Sequence, residues 1–184
     1  MHLPPGTNSP MDRQTPLISS LRILVVDDIT ESRHYLCGLV EALGHQATAV
    51  DRGQAAVELV LRQPPDLMLL DLLMPDLSGF EVIEQIRAQV TERWLPILVT
   101  SSLPGEEPFV QALRHGADDY LVRPISADLL LAKLGHYGAV LSLQARLTAM
   151  AERQRAIHDN ILDAVMTFDA DGCIQEANRA AIRW

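Results

Sequence analysis

Five residues in this chain could do chemistry together, and each closes a short apolar run. Asp27 and Asp28 follow "ILVV", Asp71 follows "LMLL", Thr100 follows "PILV", and Arg123 follows "DYLV" and precedes Pro124. Adjacent carboxylates at the end of a buried run repel each other and lose hydration. Either they splay into solvent as an ordinary strand terminus, or something positive sits between them. A third carboxylate on the same rim raises the demand for a cation. Oxygen ligands without histidine or thiolate select Mg2+, or a close relative such as Mn2+. An aspartate can attack phosphorus and form an acyl phosphate. A metal and a cationic side chain flanking it would stabilise the transferring group. A neighbouring hydroxyl could then hydrogen-bond the phosphoryl oxygens.

The elements that must position these residues follow from the patterning. From Leu21, "LRILVVD" reads as a strand, "ESRHYLCGLVEAL" as a helix stopped at Gly44, "ATAV" as a strand and "GQAAVELVLRQ" as a helix. Pro64 and Pro65 break the chain before the strand "LMLLD". Helix "FEVIEQIRAQV", strand "PILVTS", helix "EEPFVQALRHG", strand "DYLV" and a long helix from Ser126 complete the set. Strands alternating with helices imply a parallel, doubly wound sheet with right-handed crossovers. Wholly apolar strands fit burial on both faces. In such a sheet the ligand crevice lies at the carboxyl ends of the strands, where these five residues stand.

Composition narrows the class. The 184-residue chain is 48% hydrophobic and 21% charged, with a net charge of −9. Without a Lys/Arg cluster, that balance argues against nucleic acid as a partner. No apolar run reaches membrane-spanning length and the start lacks the plan of a secretion signal, so no membrane partner is expected. Cys37 and Cys173 lie far apart in dissimilar contexts, Cys37 reading as a buried free thiol; a reducing cytoplasm fits. The histidines have no metal-ligand spacing.

The segments "LVVDD", "LMLLDLLMPDLSG", "PILVTSS" and "DDYLVRP" resemble the receiver domain of two-component response regulators, in unbroken order from Leu21 to about Tyr137. The resemblance implies a flavodoxin-like (βα)5 fold in which Asp71 accepts a phosphoryl group from a histidine kinase or phosphotransfer protein. It implies that Asp28, Asp71 and the backbone carbonyl of Leu73 hold Mg2+, with Asp27 acting through water. Thr100 would contact the phosphoryl group, Ser101 would keep access open, Tyr120 would change rotamer with Thr100, and the peptide bond before Pro124 would be cis. Arg123 departs from the family, which has lysine there. A planar fork replaces a compact point charge; it could pair with Asp71 and compete with metal or phosphate, or hold the phosphoryl group well. Asp76 and Ser78 read as loop and cap residues, and Asp118 and Asp119 as solvated acids on a turn. "LPGEEP" reads as a loose helix start.

Residues 1–20, rich in Pro, Ser and Thr, read as a disordered leader, and 21–137 as the receiver. The long helix is expected over 126–163. Val140, Leu143, Leu147, Met150, Gln154, Ile157 and Ile161 alternate spacings of three and four along it, a heptad seam with one polar member. A parallel homodimeric coiled coil is the expectation; a single amphipathic helix lying on its own domain is the alternative. The segment 164–184 resembles the truncated opening of a PAS domain, with "DADG" turning between "VMTFD" and "CIQEAN". On that reading the chain is a fragment of a larger regulator, itself not an enzyme. Its output would be cyclic-di-GMP synthesis or breakdown, or alternatively a hybrid sensor kinase. Two rivals remain: a non-phosphorylated dimer scaffold, and a haloacid-dehalogenase-like phosphohydrolase. The second would need an aspartate where Leu73 stands.

Overall fold

The computed structural model describes residues 20–91, 93–102, 105–160 and 166–182, with backbone alone at 157–160, 176 and 179. The expected leader, except residue 20, lies outside these residues, as do Leu103 and Pro104 of the expected loose helix start. The chain divides into two units, one ending at Gly135 and one beginning at His136.

In the first unit β1 (Arg22–Val26), α1 (Thr30–Ala42), β2 (Gln46–Val50), α2 (Gly53–Arg62), β3 (Leu67–Asp71), α3 (Gly79–Gln89), β4 (Ile97–Ser101), α4 (Glu106–Arg114) and β5 (Asp119–Val122) alternate; α5 (Ala127–Asn160) begins in this unit and has most of its length in the second. The strands form one five-stranded sheet in the order β2-β1-β3-β4-β5. Every pairing is parallel. This is the flavodoxin-like arrangement, and the expected alternating α/β fold holds.

Period-two alternation explains the unbroken apolar strands. Leu24, Val26, Met68, Leu70, Ile97 and Val99 join Ala56, Val57 and Val60 of α2, Val82, Ile83 and Ile86 of α3, and Ala112 of α4 in one buried cluster. Their strand neighbours Ile23, Val25, Leu67, Leu69 and Leu98 are equally buried and point to the opposite layer. A strand with both faces covered has no polar positions to spare until it ends. The chemistry-bearing side chains therefore sit at the strand ends.

Two local devices fix the loop after β3. Ser78 and Glu81 form a reciprocal capping box at the start of α3. Gly79 packs where a Cβ would stand 2.5 Å from the Asp71 carbonyl oxygen and 2.8 Å from Leu72 Cα. No larger residue fits that approach, which brings the start of α3 against the end of β3.

In the second unit, β6 (Met166–Phe168) and β7 (Ile174–Ala177) form an antiparallel hairpin, followed by α6 (Arg179–Ile182). Asp169 Oδ1 accepts from the N–H groups of Asp171 and Cys173 across the turn, and Gly172 takes φ +82°. The Asn178 side chain caps α6, accepting from Ala181 N–H at 2.9 Å.

Candidate functional site

The strand ends bring Asp27, Asp28 and Asp71 together, with ligand oxygens all within 4.8 Å of one another. Asp71 is the last residue of β3 and pairs in register with Thr100 on β4. Arg123 follows β5, its N–H donating to the Ser101 carbonyl at 2.9 Å, and the Arg123–Pro124 peptide bond is cis. Asp27, Thr100 and Ser101 are fully buried and Asp71 is 5% exposed.

The three carboxylates are not equivalent. Asp27 Oδ1 accepts from Ile29 N–H at 2.9 Å, and its Oδ2 accepts from the Ser32 hydroxyl at 2.6 Å and from Arg123 Nη2 at 2.5 Å. Three donors, one of them charged, hold this carboxylate. Asp71 Oδ1 accepts from Leu72 N–H at 2.8 Å and lies 3.8 Å from Arg123 Nη2. Burial pushes the Asp71 carboxyl above its ordinary pKa and the nearby Asp27 adds to this. The Arg123 guanidinium and the N–H groups of Leu72 and Leu73 pull the other way. Asp28 Oδ1 is buried without a hydrogen-bond partner, and so is Arg123 Nε. A buried, unsatisfied carboxylate oxygen beside two other carboxylates is what a hard cation relieves. The residues present fit Mg2+.

Arg123 does not take the bidentate pairing with Asp71 that the sequence reading allowed. Its Nη2 goes to Asp27 Oδ2 and to the Thr100 hydroxyl at 2.8 Å. The half-buried Tyr120 sets its ring edge-on to Phe109, centroids 6.0 Å apart. Leu73 is 57% exposed at the mouth of the site.

Sequence reasoning missed two residues here. Ser32 bonds Asp27, and Arg33 donates to the carbonyls of Asp27 and Asp28 at 2.6 and 3.3 Å. Both stand in the first turn of α1, directly after the carboxylate pair, and that proximity was the available signal. The readings of Asp118, Asp119 and Cys37 need correction. Asp118 is no solvated acid: it accepts from Arg87 Nη2 at 2.7 Å, from the Trp94 indole at 2.9 Å and from Ile97 N–H at 2.7 Å. Asp119 pairs with Lys133 at 2.6 Å. Asp76 caps α2 from 23 residues away, accepting from Gly53 and Gln54 N–H at 3.2 Å each. Cys37 is half-buried, and burial raises its thiol pKa.

Residues 23–135 match the response regulator receiver domain family, and the chain belongs to it. It carries the phosphoacceptor domain of two-component signalling, a domain that binds Mg2+ at such an acidic triad and is phosphorylated by histidine kinases. The chain is 33% identical over 110 residues to Protein PilH of Pseudomonas aeruginosa, covering 60% of this chain and 91% of that protein. It is 34% identical over 115 residues to Response regulator PleD of Caulobacter vibrioides, covering 62% of this chain but only 25% of the relative. Among solved structures, the receiver domain of Francisella response regulator 1452 superposes with a TM-score of 0.60 at 27% identity, covering 65% of this chain and 98% of that one. The BeF3-activated receiver domain of Klebsiella pneumoniae RstA gives 0.59 at 27% identity, covering 64% and 97%.

Of the expected heptad seam, Val140, Leu143, Leu147 and Met150 are exposed on α5, at 36%, 57%, 59% and 67%. Gln154 is exposed as well. The Ile157 side chain and all of Ile161 lie outside the described residues. No helix is long and apolar enough to cross a membrane among the described residues.

Proposed function

We propose that Asp71 is the phosphoacceptor of this chain, with Asp28, Asp71 and the Leu73 carbonyl as the Mg2+ ligands and Asp27 acting across water. The observation that carries this is the orphaned, buried Asp28 Oδ1 beside the other two carboxylates. Asp27 has one lone-pair site beyond the three donors named, enough for a bridging water. Bound Mg2+ supplies positive charge to the oxygens of the transferring group.

The chain's own residues do the rest. An Asp71 carboxylate oxygen attacks phosphorus in line, the P–N bond of a donor phosphohistidine breaks, and its electron pair stays on the leaving imidazole. The product is an acyl phosphate. Thr100, adjacent in register, donates its hydroxyl proton to a phosphoryl oxygen; buried and small, Ser101 leaves that approach open. Tyr120 follows Thr100, altering the α4 surface beside Phe109. Arg123 supplies the cation.

We read the receiver as 21–137, and the α5 stripe as a parallel homodimer seam with Gln154 as its polar register residue. Beyond it we read 164–184 as a PAS opening, for which a hairpin leading into a helix is a necessary feature. The output we favour is cyclic-di-GMP synthesis or breakdown; a hybrid sensor kinase is the alternative, and the setting is the cytoplasm.

Intact mass after incubation with acetyl phosphate and Mg2+ tests the core of this reading. Wild type should gain one phosphoryl group and Asp71→Asn none. If wild type neither gains mass nor binds beryllofluoride, the phosphoacceptor reading fails and the non-phosphorylated dimer scaffold replaces it.

A further inference from the structure

One guanidinium nitrogen serves two buried groups. Arg123 Nη2 carries two hydrogens; one goes to Asp27 Oδ2 at 2.5 Å and the other to Thr100 Oγ1 at 2.8 Å. A threonine hydroxyl has one proton to give. With its oxygen accepting from Arg123, that proton must turn away from the guanidinium. The nearest strand on the other side is β3, whose register partner for Thr100 is Asp71. The far end of the link is equally constrained. Asp27 is fully buried, its Oδ1 is held by Ile29 N–H, and its Oδ2 takes the Ser32 hydroxyl at 2.6 Å beside Arg123. Two donors on one oxygen and a third on the other leave the carboxylate no freedom to rotate.

The geometry points to a further role: Arg123 is a positioning residue, a tie from Asp27 to Thr100 locked by Ser32, which presents the Thr100 proton to a phosphoryl group on Asp71. This deepens the proposed function and rests on it. The tie uses what distinguishes arginine from lysine. A guanidinium nitrogen is held in the plane of a rigid fork, so fixing one of its bonds fixes the direction of the other. A lysine ammonium turns freely about its last bond and transmits no such constraint. Ser32 is therefore coupled to Thr100 only while Arg123 lies between them. It reaches the metal only through Asp27 and a water, whereas it reaches Thr100 through the Arg123 fork, so its loss should weigh more on the phosphoryl step than on the metal step.

Calorimetric titration of the full chain separates the two steps, first with Mg2+ alone and then with beryllofluoride at saturating Mg2+. Ser32→Ala is expected to leave Mg2+ affinity within about twofold and weaken beryllofluoride binding roughly three- to tenfold, the scale of coupling between residues in one network. Ser32→Thr should restore it, because the hydroxyl returns. A cavity of about 410 Å3 lined by Ser32, Tyr35, Leu36, Arg123, Pro124 and Ile125 leaves room for the added methyl. In an Arg123→Lys background, Ser32→Ala should change beryllofluoride affinity by less than about twofold, because the tie is already gone. Equal losses in both titrations, or a Ser32→Ala effect that persists undiminished beside Arg123→Lys, would overturn the tie. A wild type that binds no beryllofluoride would remove the phosphoacceptor reading instead. The tie is then decided by NMR of the metal-free protein, where Arg123 Nη protons should be slow to exchange and broaden in Ser32→Ala. A freely rotating wild-type guanidinium would end it.

Discussion

At the scale of single residues, the site is a set of charges held in a strained balance. Asp71 is 5% exposed and burial raises its pKa, so in the metal-free protein its negative charge costs stability. Asp71→Asn is expected to stabilise the metal-free fold at neutral pH by on the order of 1 kcal/mol, read by urea unfolding in EDTA. The raised folded pKa sets the sign. The cost is absent below the ordinary aspartate value and grows as pH rises through the folded one, so the advantage of the variant should open over that window. Mg2+ should stabilise wild type more than the variant, since asparagine keeps an oxygen but not the negative charge that attracts the cation. A variant less stable than wild type at every pH would mean that Asp71 is held by favourable bonds and not poised for a cation.

At the scale of elements, polar residues distant in sequence hold the frame. Asp118, directly before β5, ties the start of that strand to α3 and β4 by bonds to Arg87, Trp94 and Ile97 N–H, while Arg87 also donates to the carbonyls of Gly116 and Leu95. Removing that carboxylate takes the acceptor from Arg87 Nη2, from the Trp94 indole and from the Ile97 strand N–H. Asp118→Ala should therefore cost about 2–3 kcal/mol, measured by denaturant unfolding; a loss below about 0.5 kcal/mol would restore the solvated-acid reading. His45 gives the pH counterpart. Its buried ring accepts Leu21 N–H at Nδ1 (3.2 Å), which requires the neutral imidazole there, and burial lowers its pKa. The unfolded chain then takes the proton more readily. Stability from this contact is complete above about pH 6.5 and is lost as pH falls from there through the folded pKa. His45→Gln should flatten that part of the stability profile. These contacts also show where sequence reading stops. Asp118 sits in an acidic, turn-like string and Asp76 in a loop, and nothing local distinguishes them from solvated residues. Their partners lie about 20 to 30 positions away and meet them only once the sheet has formed.

At the scale of the whole molecule, the described part of α5 carries an apolar stripe that the other described residues leave exposed. Val140, Leu143, Leu147 and Met150 repeat at three and four, and their exposure runs from 36% to 67%. Burying such side chains against a second copy contributes about 1.5–3 kcal/mol each, enough for dimerisation over a few heptads. Sedimentation of the full chain should show a concentration-dependent dimer, and Leu147→Asp should shift it to monomer. A wild type that stays monomeric at all concentrations would remove the coiled-coil reading and leave the stripe for another partner.

The sequence by itself determined the parallel α/β alternation, the family, and the acidic rim. A strand buried on both faces must be apolar along its length, so polar residues can stand only at its ends, and those ends converge in any doubly wound sheet. The choice among partners at that rim belonged to tertiary structure. Reach and angle placed the Arg123 fork on Asp27 and Thr100 and only within 3.8 Å of Asp71, and they brought Ser32 to the same oxygen. Residue type fixes which bonds a side chain can make. Only the packed backbone fixes which acceptor lies within 3 Å of it.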